Sequence, residues 1–248
     1  MQEPADRIID HYERHARAWD ADRCMAEWND KPWHDRFIAS LSSAASVLDL
    51  GCGSGFPVAQ HMVERGLRVT GVDSSPTLIL LCRQRFPDQE WLVGDMRSLQ
   101  LPRRFDGVLA WDSFFHLKPG DQQRMFNVFA RHAAPSAVLM FNSGATHGEA
   151  VGAYRSDPLY HASLSADEYS ALLDGIGFEI IAHTVKDWQT GGGAGGAKGG
   201  DRGERGPAKH VPGTGPGKRV TGAGPRTTSR SDLLLVVQLL TGVVSLGS

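Results

Sequence analysis

Val47-Leu48-Asp49-Leu50-Gly51-Cys52-Gly53-Ser54-Gly55-Phe56-Pro57 reads as a buried strand running into three alternating glycines and then into a helix. Glycine permits a tight turn and lets a ligand approach the backbone closely. The helix that follows offers free amides and the positive end of its dipole. Asp73 lies 22 residues beyond Gly51, at the end of a second apolar run, Val69-Thr70-Gly71-Val72-Asp73. A carboxylate at that strand end can accept two hydrogen bonds from a ribose diol. A glycine loop alone is weak; with the strand before it and the acid after it, it points to a nucleoside-binding site.

Outward from this segment the chain alternates strand and helix. Strands are predicted at residues 46–50, 67–72, 90–93, 105–111, 137–142 and 178–186, with helices at 57–65, 76–86, 119–132 and 165–175. Ser75 caps a helix that Pro76 opens, and Ser165 caps another. Ahead of the first strand, Ile8, Ile9, Tyr12, Ala16 and Trp19 make an apolar stripe at helical spacing, predicting a helix over 5–22, and a shorter helix follows at 33–40. The fold class is therefore α/β: a Rossmann-like, doubly wound sheet with six parallel strands and a helical N-terminal cap over 1–44. Ligands of such sheets bind beyond the carboxyl ends of the strands.

The glycines stand at the first, third and fifth positions of the loop, and the sixth is Phe56, whereas a dinucleotide fingerprint places glycine sixth. Asp49, two residues ahead of Gly51, would repel a pyrophosphate and suits a cationic amino-acid ligand. Both features argue against a nicotinamide-dependent oxidoreductase. This combination resembles motif I of the class I S-adenosylmethionine-dependent methyltransferases. Gly94-Asp95-Met96 after the third strand resembles the family's adenine-binding acid and backbone amide. Leu109-Ala110-Trp111-Asp112-Ser113-Phe114-Phe115-His116-Leu117 resembles its motif IV, which faces the methyl group. The resemblance implies an enzyme that binds S-adenosyl-L-methionine through Asp49, Gly51, Cys52, Gly53, Gly55, Asp73, Ser74, Asp95, Met96, Trp111 and Asp112, with Tyr12 and Trp19 either closing over the cofactor or packing on the core. Lys31-Pro32-Trp33 is a further lid candidate. It implies methyl transfer to a small-molecule acceptor by in-line displacement, in which proximity and orientation supply much of the acceleration.

His116, in the loop after the fourth strand, is the candidate catalytic base, a role open to a neutral imidazole near pH 7. A long connection over 143–164, rich in glycine and polar groups, is expected to roof the acceptor site, with Phe115, Tyr160 and His161 as candidate substrate contacts. Cys52 has no base beside it and reads as a small buried filler, as do Cys24 and Cys82. No metal cluster is expected from three scattered cysteines.

Composition bounds the rest. The 248 residues are 41% apolar with a net charge of −2, which excludes a globally basic nucleic-acid binder. No apolar run approaches the ~18 residues of a membrane span, no secretory signal is legible at the N-terminus, and a reduced, cytoplasmic setting is the expectation. The average hides an asymmetry: 16 of the 29 glycines and a charge of +5 lie in residues 191–248, leaving −7 for the first 190, while every Trp, Phe and Tyr precedes residue 191. A methyltransferase domain over 1–190 is thus followed by a Gly/Arg/Pro-rich stretch, 191–230, expected to be disordered, and by an apolar tail, 231–248. The +5 charge of residues 191–248 carries no interleaved aromatics, so no specific nucleic-acid partner is expected.

Class I methyltransferases resemble one another in ending on a hairpin whose antiparallel seventh strand follows the sixth at once. Here that strand is either missing, as a frameshift after about residue 190 would leave it, or replaced by residues 233–244. The competing functional reading follows from the first case: a catalytically impaired or non-catalytic methyltransferase-fold binding protein with a frameshifted C-terminus.

Overall fold

The computed structural model describes residues 3–187 and 231–239, the last stretch and residues 185–187 by their backbone only. The expectations for 191–230 and 240–248 lie outside the described residues. A short 3-10 turn, Pro4–Arg7, leads into α1 (Ile8–Met25), followed by α2 (Lys31–Ala39). The alternation then begins with β1 (Ser46–Leu50), α3 (Val58–Glu64), β2 (Arg68–Asp73), α4 (Pro76–Arg85), β3 (Glu90–Val93) and β4 (Phe105–Ala110). It continues with α5 (Pro119–His132), β5 (Ala133–Gly144), β6 (Gly148–Tyr154), β7 (Asp157–Ser163), α6 (Ala166–Gly175), β8 (Phe178–Asp187) and β9 (Ser231–Leu239).

Seven strands form one sheet in the order β3-β2-β1-β4-β5-β9-β8. Strands β1 to β5 pair parallel with one another. β9 runs antiparallel to both β5 and β8, from Val138↔Gln238 to Gly144↔Asp232 on one side and from Phe178↔Leu239 to Asp187↔Ser231 on the other. The apolar run near the C-terminus therefore supplies the antiparallel strand, and the edges of β5 and β8 that its loss would expose are paired.

Because side chains alternate across a parallel sheet, each strand feeds two cores. Leu48, Leu50, Val108, Ala110, Leu139 and Phe141 face one layer with Phe126 and Phe129 of α5 and Tyr169 and Leu173 of α6. Val47, Leu109, Val138 and Met140 face the other, with Phe37 of α2, Met62 of α3 and Ile79 of α4. The strands fall where the apolar runs place them, except that β5 is longer than expected. The connection over 143–164 is not a loop. β6 and β7 pair as an antiparallel hairpin from Gly148↔Ser163 to Tyr154↔Asp157, closed by Arg155 and Ser156 at φ of 48° and 67°. Its base is fixed by polar contacts: Ser163 Oγ accepts from Gly144 N–H, and Gln122 donates to the Ala162 carbonyl. Composition hid this hairpin, because β6 (Gly-Glu-Ala-Val-Gly-Ala-Tyr) has only one β-branched residue.

Candidate active site

A partly enclosed cleft lies over the carboxyl ends of β1, β2 and β4 and under α1. Its floor is the glycine loop. Gly51, Gly53 and Gly55 have φ of 76°, 56° and 78°, which only glycine adopts without strain. The amides of Gly51 and Cys52 both donate to the Val72 carbonyl and pin the loop to β2. A Cβ on Gly51 would lie 2.2 Å from that of Ser113, so the close passage of two loops also demands glycine there. A Cβ on Gly53 would meet nothing within 4 Å, and open space stands above that residue.

Three carboxylates face this floor in different states. Asp49 is buried, and its Oδ2 has no hydrogen-bond partner. Burial, with the charge of Asp73 adding to it, pushes its carboxyl up to about 7. Asp73 accepts from Gly53 N–H at 2.9 Å and from Ser75 N–H at 2.8 Å, so it organises the loop as well as lining the cleft. Burial raises its carboxyl above the ordinary range despite those bonds. Asp95 is held in a side-chain pair with Arg97, at 2.9 Å from Nε to either oxygen. Arg97 also lines the cleft and reaches Asp121.

The roof is assembled by side chains from distant parts of the chain. On α1, Tyr12 lies 2.7 Å from His116 Nε2, while His116 Nδ1 lies 2.7 Å from the Tyr160 carbonyl of β7. A carbonyl only accepts, so Nδ1 carries the proton and Nε2 accepts from the Tyr12 hydroxyl. Burial, then the charges of Asp112 and Asp73, push the Tyr12 phenol far above its ordinary value, so it acts as a donor. Trp19 meets Tyr12 edge-on at 5.3 Å. Arg23, at the end of α1, pairs with Asp112 at 2.8 Å. Asp112 has φ 52° and exchanges two 2.8 Å hydrogen bonds with Asn142. α1 is seated on α4 by Glu13, which accepts from Ser75 Oγ and from Thr77 Oγ1 and N–H, and by Asp20, which accepts twice from Arg85.

Asp49, Gly51, Cys52, Gly53, Asp73, Ser74, Asp95, Met96, Trp111, Asp112, Tyr12, Trp19 and His116 all line the cleft. Gly55 does not; a Cβ there would press on Phe86 and Cys82 beneath the loop. Phe115, Tyr160 and His161 do not line it either. Phe115 and His161 stack on each other at 5.4 Å beside His116, and the buried Tyr160 donates its hydroxyl to Glu149. Lys31 pairs with Asp35 and Trp33 packs against the core, both away from the cleft. Cys82 is buried as expected, but Cys24 is exposed. The sequence reading missed Arg23, Arg97 and Ser113. Arg23 continues the 12, 16, 19 stripe at helical spacing, a signal obscured because the stripe was read from apolar residues alone.

Residues 47–136 match a family described as a methyltransferase domain. The chain is 37% identical over 101 residues to a trans-aconitate 2-methyltransferase of Azoarcus sp. (strain BH72), covering 40% of this chain and 39% of that one. It is 33% identical over 99 residues to the dTDP-3-amino-3,6-dideoxy-alpha-D-glucopyranose N,N-dimethyltransferase of Streptomyces fradiae, covering 39% and 38%. The aligned stretch spans about two-fifths of the length of these curated relatives. Among solved structures, the 1,6-didemethyltoxoflavin-N1-methyltransferase of Burkholderia thailandensis, with bound 1,6-didemethyltoxoflavin and S-adenosylhomocysteine, superposes with a TM-score of 0.64 at 16% identity, covering 96% of this chain and 91% of that one. An amino pentose methyltransferase of Micromonospora echinaspora, with S-adenosylmethionine bound, gives 0.58 at 18% identity, covering 90% and 97%. At these identities the likeness to solved structures is one of fold.

Proposed function

We propose that this chain, whose residues 47–136 match a methyltransferase-domain family and whose sheet order resembles that of the class I enzymes, transfers a methyl group from S-adenosyl-L-methionine to a small-molecule acceptor. The observation that carries the proposal is Asp49: a buried carboxylate oxygen without a partner, beside an open glycine loop, calls for a cationic ligand at that spot. A single cleft collects it with Asp73, Ser74, Asp95 and Met96, and these residues, with Gly51 and Gly53, would hold the cofactor. When bound, the cofactor supplies a methyl group on a sulfonium sulfur, already activated for in-line displacement.

The protein's own contribution is then positioning, dryness and a proton acceptor. Tyr12, Trp19 and Arg23 roof the cleft and exclude water. His116 takes the acceptor's proton at Nε2, either after the Tyr12 hydroxyl gives way or through it, with Tyr12 passing its proton to His116 as it receives the acceptor's. The Tyr160 carbonyl holds the imidazole in the tautomer that leaves Nε2 able to accept.

The charge around the cleft bears on the acceptor. Asp49, Asp73, Asp95 and Asp112 line it against Arg23 and Arg97, both of which are already paired. That balance favours a neutral or amine-bearing acceptor over a polyanion. Among the described residues, no helix is long and apolar enough to cross a membrane.

The test is calorimetric titration of the purified full-length chain with S-adenosylhomocysteine, then turnover of the methyl donor with a panel of amine, hydroxyl and carboxylate acceptors. Micromolar binding followed by turnover with an amine or hydroxyl acceptor supports the proposal. Binding with no turnover across the panel favours the non-catalytic binder, and no binding overturns both.

A further inference from the structure

We propose that His11, His15 and Asp157 form a zinc site that staples the roof helix α1 to β7 of the hairpin. The site stands apart from the cleft, which none of the three residues lines, and it does not depend on the methyl-transfer reading.

His11 and His15 are four residues apart on α1 and so share a face, with ring centroids 4.9 Å apart. Asp157 opens β7 against them. His15 Nε2 is 2.9 Å and His11 Nδ1 3.8 Å from the same oxygen, Asp157 Oδ2. All three donor atoms lie within 4.8 Å of one another. A tetrahedral zinc with bonds of ~2.0–2.2 Å separates its ligands by about 3.4 Å, inside the range these atoms already span. His11 supplies the independent observation. It is only 3% exposed, and its Nδ1 has no hydrogen-bond partner although it points at the carboxylate. A buried nitrogen left without a bond is costly, and a metal ion would use that lone pair. Two imidazoles and one carboxylate suit zinc and its late-transition neighbours and not calcium or magnesium, with water completing the coordination.

Two adjustments accompany loading. Arg14 Nη2 sits 2.9 Å from Asp157 Oδ2; its side chain is half exposed and can swing into solvent. His15 donates from Nε2 to the carboxylate in the metal-free protein, so its proton must move to Nδ1 before Nε2 can bind the ion. The ion would then tie together the two elements that hold His116. Tyr12 follows His11 on α1, and Tyr160, whose carbonyl holds the imidazole, lies three residues after Asp157.

Equilibrium dialysis of the full-length chain against zinc with a competing chelator, and cobalt substitution read by visible absorption, test the site. The expected result is one ion per chain, tetrahedral cobalt bands and a raised melting temperature. His11→Ala and Asp157→Asn should each weaken binding ~10-fold or more, with circular dichroism confirming that both variants fold. Arg14→Gln separates the alternatives, since freeing Asp157 should tighten zinc binding. If Arg14→Gln instead only lowers the melting temperature and no ion binds, the cluster is an ion pair and the proposal fails. Stoichiometric binding that His11→Ala leaves unchanged also overturns it, because the ion would then sit on other histidines.

Discussion

The floor and the roof of the cleft are built on different principles. The floor comes from one stretch of chain, residues 49 to 96, and is held by backbone geometry: left-handed glycines, amides pinned to the Val72 carbonyl, and Asp73 accepting from the loop it faces. It leaves one strong acceptor, Asp49 Oδ2, unsatisfied. The roof is a set of side-chain pairs between distant segments, and these pairs satisfy one another: Tyr12 with His116, Arg23 with Asp112, Glu13 with Ser75 and Thr77. A floor with an unmet bond is prepared for a ligand, whereas a roof with its bonds made must exchange some of them when an acceptor enters.

The sharpest way to break this contrast is Asp49→Asn. Removing one member of a buried ion pair costs ~3–5 kcal/mol, so affinity for S-adenosylhomocysteine should fall by ~150-fold or more by calorimetry. The same substitution should stabilise the unliganded protein. Asp49 is raised from 3.8 to about 7 in the folded chain, so the folded state keeps a proton that the unfolded chain releases. Wild-type stability therefore falls as pH rises from about 4 to 7 and stays lower above it, and the asparagine variant should lose that dependence. Melting at pH 5 and pH 8 checks the sign; equal slopes for the two proteins would contradict it. Asp73→Ala is the poorer probe, because it also removes the acceptor for Gly53 and Ser75.

On the roof, Tyr12→Phe should leave S-adenosylhomocysteine affinity within a few-fold and reduce kcat by ~100-fold, the lower end of general acid–base contributions. Equal losses of affinity in Tyr12→Phe and Asp49→Asn would mean that floor and roof are one site. A smaller effect is expected from Arg23→Gln. The Arg23–Asp112 pair is about one-quarter exposed on each side, and such pairs contribute up to ~1 kcal/mol, so a loss of roughly five-fold in affinity is the expected ceiling.

The same contrast explains what was legible in the sequence. Glycine spacing, the Asp49 offset and the distance to Asp73 are local patterns, and each residue named from them except Gly55 lines the cleft. Gly55 obeys the pattern for another reason, clearance above Phe86. The roof pairs bridge from 62 to 104 residues of chain, and no local period encodes such a match. His116 was legible as a candidate from its place after the fourth strand, but its hydrogen bond to Tyr12 was not, and Phe115 and His161 turned out to stack beside it outside the cleft. The hairpin was lost because glycine and alanine carry little strand signal. The final strand was legible only as an apolar run with two fates, since its register is set by β5 and β8 and not by its own residues.

The gentlest perturbation asks how the roof is seated. From α1 the Glu13 carboxylate reaches the N-terminus of α4, where its charge meets the positive end of the helix dipole and its oxygens accept from Ser75 and Thr77. Glu13→Gln keeps the shape and one acceptor oxygen but removes the charge and turns the other acceptor into a donor. A charge at a helix end contributes ~0.3–1 kcal/mol, so the seat should loosen without opening. Dissociation of S-adenosylhomocysteine, read by stopped-flow fluorescence of the roof tryptophan, should accelerate ~2–5-fold, with kcat unchanged because Tyr12 and His116 still meet in the closed state. An unchanged off-rate would mean that the other contacts of α1, Asp20 with Arg85 and Arg23 with Asp112 among them, hold the helix down without Glu13. A large drop in kcat would mean that the seat also sets the angle at which Tyr12 reaches His116, and the roof would then belong to the chemistry and not only to access.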